Sequence, residues 1–87
     1  MFDIEFSITA QKQLYRLEKQ VQERIISTLE RIRIRPYSHV KKLVGGPYFR
    51  LRIGDYRAIL DIRGDKLIIF VIEVGHRRNI YKNSLKD

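Results

Sequence analysis

Two Gly-Asp pairs, at residues 54–55 and 64–65, divide the second half of this chain into short segments with the character of β-strands. A two-residue loop that begins with glycine suits a tight turn between antiparallel strands. Residues 48–53 alternate between polar and apolar side chains, which is typical of a strand with one buried face. Residues 67–72 are apolar at every position, which is typical of a central strand covered on both faces. The chain is therefore predicted to form an antiparallel sheet of at least three strands.

The first turn determines which two arginines pair across the neighbouring strands. A two-residue loop pairs Ile53 with Tyr56, so Arg52 lies directly opposite Arg57. Like charges that face each other across a sheet destabilise it by up to about 1 kcal/mol, and a bound phosphate would compensate because guanidinium groups match its oxygens. Alternatively, both side chains extend into water at little cost. Arg50 favours anion binding, because it lies two positions from Arg52 and therefore on the same face.

The second turn predicts the composition of both faces of the sheet. It pairs Ala58 with Val71 and Leu60 with Ile69, which gives one consistently apolar face. The opposite face is predicted to be partly basic and partly apolar, a composition suited to a large ligand. It carries Arg50, Arg52, Arg57, Asp61, Ile68, Phe70 and Ile72.

The first half of the chain predicts one strand and two helices. Residues 2–6 alternate between apolar and acidic side chains and are predicted to add a strand at an edge of the sheet. Ser7 or Thr9 would cap a helix, and apolar residues recur at helical spacing over most of residues 9–34. The apolar stripe widens in the second half of that range, which indicates a helical hairpin with its turn near residues 18–20.

The order of these elements predicts the fold class. Pro36 is expected to end the second helix, and a basic, glycine-containing connection then leads into the sheet. The order is therefore β-α-α-β-β-β, an α+β fold in which an N-terminal helical hairpin packs on one face of an antiparallel sheet. Residues 1–87 are expected to form a single domain, because a chain of this length supports one core.

The composition limits the classes of function. The chain has no cysteine, which excludes disulfides, thiolate metal sites and a cysteine nucleophile. Two histidines are too few to build a metal site alone, and we expect neither a metal nor a small-molecule cofactor. The formal net charge of +8 favours a polyanionic partner. No apolar run approaches the roughly 18 residues of a membrane span, and the N-terminus is too acidic for a signal peptide, so a cytoplasmic location is expected.

Residues 74–81 follow the apolar strand and are predicted to form a loop or short turn. Arg77 or Arg78 would reach the end of the basic face, and Tyr81 would fold back toward it or, alternatively, anchor the tail. His39 and His76 lie in different loops, which disfavours cleavage of RNA by a histidine pair. His76 is instead expected to be a turn residue or an RNA contact.

The chain resembles the RelE family of toxins almost from end to end. The resemblance rests on Lys41-Lys42-Leu43, on the run Tyr48 to Arg57, and on Val-Gly-His-Arg-Arg-Asn-Ile-Tyr at residues 74–81. It implies the two-layer, microbial-RNase-like RelE fold and a toxin that cleaves messenger RNA in the ribosomal A site. It also implies a RelB-like antitoxin that neutralises the toxin in a complex. The tyrosine after the Gly-His-Arg turn makes the chain more similar to RelE toxins than to the gyrase-poisoning ParE toxins.

The resemblance also implies the roles of individual residues. Arg57 and Arg77 match phosphate-contacting arginines, Tyr81 matches the C-terminal catalytic tyrosine, and Arg50 would stabilise charge. Some relatives carry lysines along this strand, and this chain has none, so Tyr81 becomes the leading base for attack of a ribose 2′-hydroxyl on the adjacent phosphate. Further contacts to RNA are expected from Arg52, Tyr48, His76, Arg78, Lys41 and Lys42.

Two other classes of function compete with the nuclease. A ParE-like toxin would bind DNA gyrase without hydrolysing anything and would use the arginines and Tyr81 as a contact surface. A non-catalytic RNA-binding module would use the same cations for phosphate contacts alone. Substitution of Tyr81 by phenylalanine separates catalysis from both, because only catalysis needs the phenolic hydroxyl.

Overall fold

Residues 1–83, which the computed structural model describes, form one five-stranded sheet and three α-helices, and side chains are described for residues 1–80. The elements are β1 (Asp3–Phe6), α1 (Ile8–Tyr15), α2 (Lys19–Arg31), β2 (Val40–Lys42), β3 (Phe49–Ile53), β4 (Tyr56–Arg63), β5 (Ile68–His76) and α3 (Arg77–Asn83), with a 3₁₀ turn at Pro36–Ser38. The strand order is β1-β5-β4-β3-β2. β1 runs parallel to β5, and the other neighbours are antiparallel. The predicted α+β class and the edge strand at the N-terminus are confirmed.

The helical hairpin begins at a side-chain cap. The hydroxyl of Ser7 accepts a hydrogen bond from the backbone N–H of Ala10 at 2.9 Å, which satisfies one of the unpaired donors at the start of α1. The predicted break is confirmed, although it spans residues 16–18 and so begins slightly earlier than expected. α2 ends at Arg31, before Pro36, which instead opens the 3₁₀ turn. Among residues 1–83, no helix is long and apolar enough to span a membrane.

The main hydrophobic core lies between the helical hairpin and one face of the sheet. α1 and α2 contribute Ala10, Leu14, Ile25 and Leu29, all of which are buried. The sheet contributes the inward residues of its three longest strands, namely Leu51, Ile53, Ala58, Leu60, Ile62, Ile69, Val71 and Val74. The helical hairpin therefore covers only one face of the sheet, and α3 packs against the opposite face through Ile80.

The predicted pairing between β4 and β5 is wrong. Ala58 pairs with Val74 rather than Val71, and Leu60 pairs with Val71 rather than Ile69. The first cause is the loop, which runs from residue 64 to 67 and ends at Leu67 with a left-handed φ of 55°. The second cause is an irregularity between Ile59 and Leu60, where β5 contains one extra residue. Such a bulge bends a strand and changes which side chains share a face.

The first helix stabilises this bulge through two side chains. The Ser7 hydroxyl donates to the carbonyl of Ile72 at 2.8 Å. The side-chain oxygen of Gln13 accepts from the backbone N–H of Val74 at 2.9 Å. A bulge removes backbone groups from the ladder, and buried backbone groups need other partners. α1 therefore supplies the hydrogen bonds that the irregular part of β5 lacks.

Replacing Gly54 by alanine is expected to lower the free energy of unfolding by about 1–2 kcal/mol, because an L-residue is strained at its φ of +59°. A Cβ atom there would also lie 3.0 Å from the Arg24 guanidinium. Urea denaturation measures the change. Gly45→Ala is the matched control, since Gly45 has a φ of +82° with no neighbour within 4 Å. The difference between the losses of unfolding free energy in Gly54→Ala and Gly45→Ala reports the Arg24 contact. A Gly54→Ala variant with unchanged stability would contradict the left-handed turn assigned at Gly54.

Candidate functional site

Cations from three adjacent strands share the face of the sheet that lies away from α1 and α2. Arg52 pairs with Arg57, as predicted, and one row further along Lys41 pairs with Arg50. We call the surface formed by Lys41, Arg50, Arg52 and Arg57 the basic face. Like charges stand opposite each other in both rows, so the arrangement predicted for one arginine pair occurs twice.

Arg57 is the buried cation of this face and is only 6% exposed. Its Nη1 atom donates to the carbonyl of Gly54 at 2.8 Å and to that of Tyr56 at 2.9 Å, so the guanidinium is held against the β3–β4 turn. Among the described residues, no buried side-chain nitrogen lacks a hydrogen-bond partner. The Nε and Nη2 donors, which make no hydrogen bond within the described part of the chain, are therefore still reached by solvent. Arg57 thus presents a fixed fork of donors.

Residues 74–81 were predicted to form a loop or short turn, and that prediction is wrong. Residues 74–76 continue β5, and the helix α3 begins at Arg77. The backbone N–H of Arg77 donates to the carbonyl of Asp55 at 2.9 Å, which ties the start of α3 to the β3–β4 turn. Ile80 is 2% exposed and joins a second apolar cluster with Leu43 and Ile59 on the basic-face side of the sheet. Both arginines that the RelE resemblance assigns to phosphate, Arg57 and Arg77, are therefore anchored to the same turn.

Tyr81 lies in α3, four residues after Arg77 and directly after the buried Ile80. Its side chain is outside the described residues, so its predicted role as the base stays a prediction. Arg78 is exposed on the same helix. Arg77, Arg78 and Tyr81 therefore lie on one short helix beside the β3–β4 turn.

His76 is not brought to the basic face. It pairs with Tyr56, and the two rings contact edge to face at a centroid distance of 5.4 Å. Tyr56 packs against the main core, so His76 lies on the helical side of the sheet. The Nδ1 atom of His76 accepts from the backbone N–H of Arg78 at 3.3 Å, which fits the predicted turn role better than an RNA contact.

The remaining predicted contact residues divide between the two faces. Lys41 belongs to the basic face, whereas Lys42 pairs with Phe49, which packs against the main core. Both lysines are exposed on β2, a three-residue strand that the sequence prediction missed. Tyr48 is half-buried and packs against the second apolar cluster, so its side chain is not free in solvent.

Glu73 is a residue of the basic-face side that sequence reasoning missed. It pairs with Ile59, whose other neighbour is Arg50, and it is half-buried. The register makes it a diagonal neighbour of Arg57, within reach of long side chains. Arg50 and Glu73 both take part in further interactions, so neither is an isolated charge. The sequence signal that could have revealed Glu73 is its position as the one carboxylate in the largely apolar strand β5.

The comparisons with known proteins agree with this architecture. The sequence profile of the ParE toxin of type II toxin–antitoxin systems (parDE) matches residues 4–81. The toxin–antitoxin complex RelBE2 of Mycobacterium tuberculosis contains a chain with a TM-score of 0.82 and 22% identity, over 87% of this chain and 98% of that one. The intact Escherichia coli RelBE complex gives a TM-score of 0.74 and 27% identity, over 87% and 96% of the two chains.

An archaeal structure shows the same likeness. The RelB-RelE complex of Methanococcus jannaschii gives a TM-score of 0.71 and 27% identity, over 91% of this chain and 96% of that chain. No curated protein sequence matches this chain. The profile thus carries the ParE name, whereas these three solved structures are RelE complexes.

Proposed function

This chain belongs to the ParE toxin family of type II toxin–antitoxin systems, and we propose that it acts as a RelE-like, ribosome-dependent endoribonuclease. Its substrate is messenger RNA in the ribosomal A site. The observation that carries the proposal is the pair Arg57 and Arg77, anchored through Gly54 and Asp55 to one hairpin turn beside the helix that bears Tyr81. One guanidinium held by backbone carbonyls, with a second arginine on the helix whose backbone carries Tyr81, suits phosphoryl chemistry better than a flat protein-binding surface.

The proposed reaction is attack of a ribose 2′-hydroxyl on the adjacent phosphate. The 2′-oxygen loses a proton, the P–O5′ bond breaks, and the leaving 5′-oxygen gains a proton, which yields a 2′,3′-cyclic phosphate and a free 5′-hydroxyl. Negative charge grows on the phosphate oxygens in the transition state. The Nε and Nη2 donors of Arg57 would stabilise that charge without reorganising, because Nη1 is already held by Gly54 and Tyr56.

Tyr81 is the proposed base. A free tyrosine has a pKa of about 10, and nearby cations favour its phenolate. The cations on β3 are Arg50 and Arg52, which stay protonated and so stabilise charge rather than accept a proton. Since the nucleophile is the hydroxyl of the RNA itself, the proposed chemistry needs no metal.

The proposal includes two macromolecular partners. A ribosome that holds the message in line for attack would supply much of the rate through positioning, so little cleavage of free RNA is expected. A cognate RelB-like antitoxin would neutralise the toxin, and the three similar chains belong to toxin–antitoxin complexes of their own. The net charge of +8 favours an acidic antitoxin segment.

The experiment that tests the proposal compares two substrates. Purified protein is added to programmed ribosomes and, separately, to the same naked messenger RNA, and new 5′ ends are mapped. Cuts confined to the A-site codon on ribosomes are the expected result. If a folded, toxic protein cuts neither sample, the ParE-like alternative takes over, and the matching family profile carries the ParE name. Altered DNA supercoiling in treated cells would then identify gyrase as the target.

Tyr81→Phe is expected to reduce A-site cleavage by roughly 10²–10⁴-fold, the usual contribution of a positioned acid or base. Ribosome binding should be unchanged, because the substitution removes only the hydroxyl. Tyr15→Phe is the matched control, since Tyr15 is 72% exposed on α1. Primer extension on programmed ribosomes measures the rates. Equal cleavage by the wild type and Tyr81→Phe would remove Tyr81 from the role of base.

A further inference from the structure

His76 occupies the junction between β5 and α3, where it ends the strand and directly precedes the helix. Its Nδ1 atom accepts a hydrogen bond from the backbone N–H of Arg78, the second residue of α3, at 3.3 Å. A side-chain acceptor on the residue before a helix, bonded to the second or third N–H, is the arrangement of an N-cap. His76 therefore satisfies one of the donors that the first turn of a helix leaves unpaired.

The ring of His76 is supported by Tyr56. The two residues pair across β4 and β5, and their rings meet edge to face at a centroid distance of 5.4 Å, a favourable geometry for aromatic rings. Tyr56 in turn packs against the main core, and His76 is half-buried. This contact restricts the rotamer of His76 and so keeps its Nδ1 atom at the start of α3.

Tyr56 also links the cap to the buried arginine. Its carbonyl accepts from Nη1 of Arg57 at 2.9 Å, while its ring contacts His76. The carbonyl of the preceding residue, Asp55, accepts from the backbone N–H of Arg77 at 2.9 Å. Three consecutive residues at the start of β4 therefore connect the guanidinium of Arg57, the cap at His76 and the first residue of α3.

The short helix α3 needs restraints from outside itself. It spans seven residues, Arg77–Asn83, and isolated helices shorter than about 12 residues are marginal in water. Among residues 77–80, the part of α3 whose side chains the structure describes, only Ile80 is buried. One apolar contact holds the helix against the sheet but leaves its direction free. The two hydrogen bonds at its first turn, from Arg77 and Arg78, supply the further restraint.

We infer that His76 is a positioning residue for the proposed reaction and acts through α3 on Arg77 and Tyr81. The inference rests on the proposed function for the roles of these two residues. His76 itself would not contact the phosphate, because its ring lies against Tyr56 on the helical side of the sheet. Its contribution is to hold the first turn of α3, so that the residues that follow keep a fixed direction relative to Arg57.

The cap makes a specific demand on the side chain at position 76, namely an acceptor at the δ position. Asparagine carries its Oδ1 atom as many bonds from Cα as histidine carries Nδ1, and it is among the best N-cap residues. Glutamine has the same amide one bond further away. Neither side chain has a ring to contact Tyr56, so the comparison of His76→Asn with His76→Gln isolates the cap.

Amide hydrogen exchange of the full chain tests the cap without catalysis. His76→Ala is expected to speed exchange of the α3 amides on the order of fivefold, the population change that follows the loss of a typical N-cap. His76→Asn should restore slow exchange, and His76→Gln should not. His39→Ala is the matched control, because it removes the same ring from an exposed position after the 3₁₀ turn.

Single-turnover cleavage on programmed ribosomes tests the positioning. His76→Ala should lower the A-site rate on the order of tenfold, because a displacement of about 1 Å at the reacting groups can cost about 100-fold. The rate should recover in His76→Asn but not in His76→Gln, and it should be unchanged in His39→Ala. Thermal unfolding of every variant checks that the core survives. If His76→Ala does not fold, the Asn and Gln variants still give the comparison.

The outcomes separate this inference from the proposed function. Unchanged exchange of α3 in His76→Ala overturns the inference even if the wild type cuts RNA on ribosomes. Faster exchange with an unchanged cleavage rate also overturns it, because His76 would then cap α3 without serving the reaction. Equal rates for His76→Asn and His76→Gln overturn the cap and assign the loss to the ring contact with Tyr56. A wild type that cuts nothing overturns the positioning role together with the proposed function, whatever the exchange data show.

Discussion

Arg57→Lys is expected to reduce A-site cleavage on the order of 100-fold or more, the usual cost of losing one fixed donor to a charged transition state. Lysine keeps the positive charge but has no planar fork. It cannot hold the carbonyls of Gly54 and Tyr56 and also offer two parallel donors to a phosphate, as the guanidinium does. Single-turnover cleavage on programmed ribosomes measures the loss.

The control for Arg57→Lys is Arg63→Lys on the same strand. Arg63 is exposed and pairs with Asp61 at 2.9 Å, so the same substitution there should leave cleavage unchanged. Thermal unfolding of both variants checks that the fold survives, because the lost bonds of Arg57 are worth only about 1 kcal/mol each. A fully active Arg57→Lys variant would mean that Arg57 serves the hairpin turn and not the phosphate.

The first hairpin could be predicted from sequence because its turn leaves little freedom. Gly54 has a left-handed φ, and a two-residue loop then sets every pair from Ile53–Tyr56 to Phe49–Leu60. The second hairpin begins with the same Gly-Asp pair but continues to Leu67, a branched residue in a left-handed conformation. Sequence preferences disfavour leucine there. The side chain of Leu67 is 47% exposed, but its carbonyl accepts a hydrogen bond from the backbone N–H of Asp3 at 2.8 Å, so a contact with β1 accompanies the departure from the local rule.

The bulge in β5 explains why the site was predicted only in part. Strict alternation from Ile69 and Val71, which face the main core, would also turn Glu73 toward the core and His76 toward the basic face. One extra residue at Ile72 reverses both orientations. Its backbone partners, Ser7 and Gln13, lie more than 60 positions away in sequence, so no local pattern reveals it.

The missed elements are short and depend on distant contacts. β2 has three residues and forms only because β3 offers a partner edge. α3 depends on Ile80, which packs on Ile59 and Leu43. A single apolar residue in a basic segment does not predict a helix, because helical stability here comes from packing.

Leu60→Ala is expected to lower the free energy of unfolding by roughly 2–5 kcal/mol, the range for deleting a fully buried leucine side chain. Leu60 is 0% exposed and pairs with Phe49 on one side and Val71 on the other, next to the bulge. A domain of this size gains only about 5–15 kcal/mol in total, so the variant would lose a large share of its stability. Calorimetry should show a fall in Tm of at least about 10 °C.

Ile8→Ala removes a similar aliphatic side chain from α1, where Ile8 is 72% exposed, and should change the free energy of unfolding by less than about 0.5 kcal/mol. The contrast has a functional consequence, because the backbone of Leu60 adjoins the irregular pairing that turns Glu73 toward the basic face. Leu60→Ala should therefore weaken phosphate binding below its Tm, whereas Ile8→Ala should not. An unchanged Tm for Leu60→Ala would contradict the position of the core between the helical hairpin and β4.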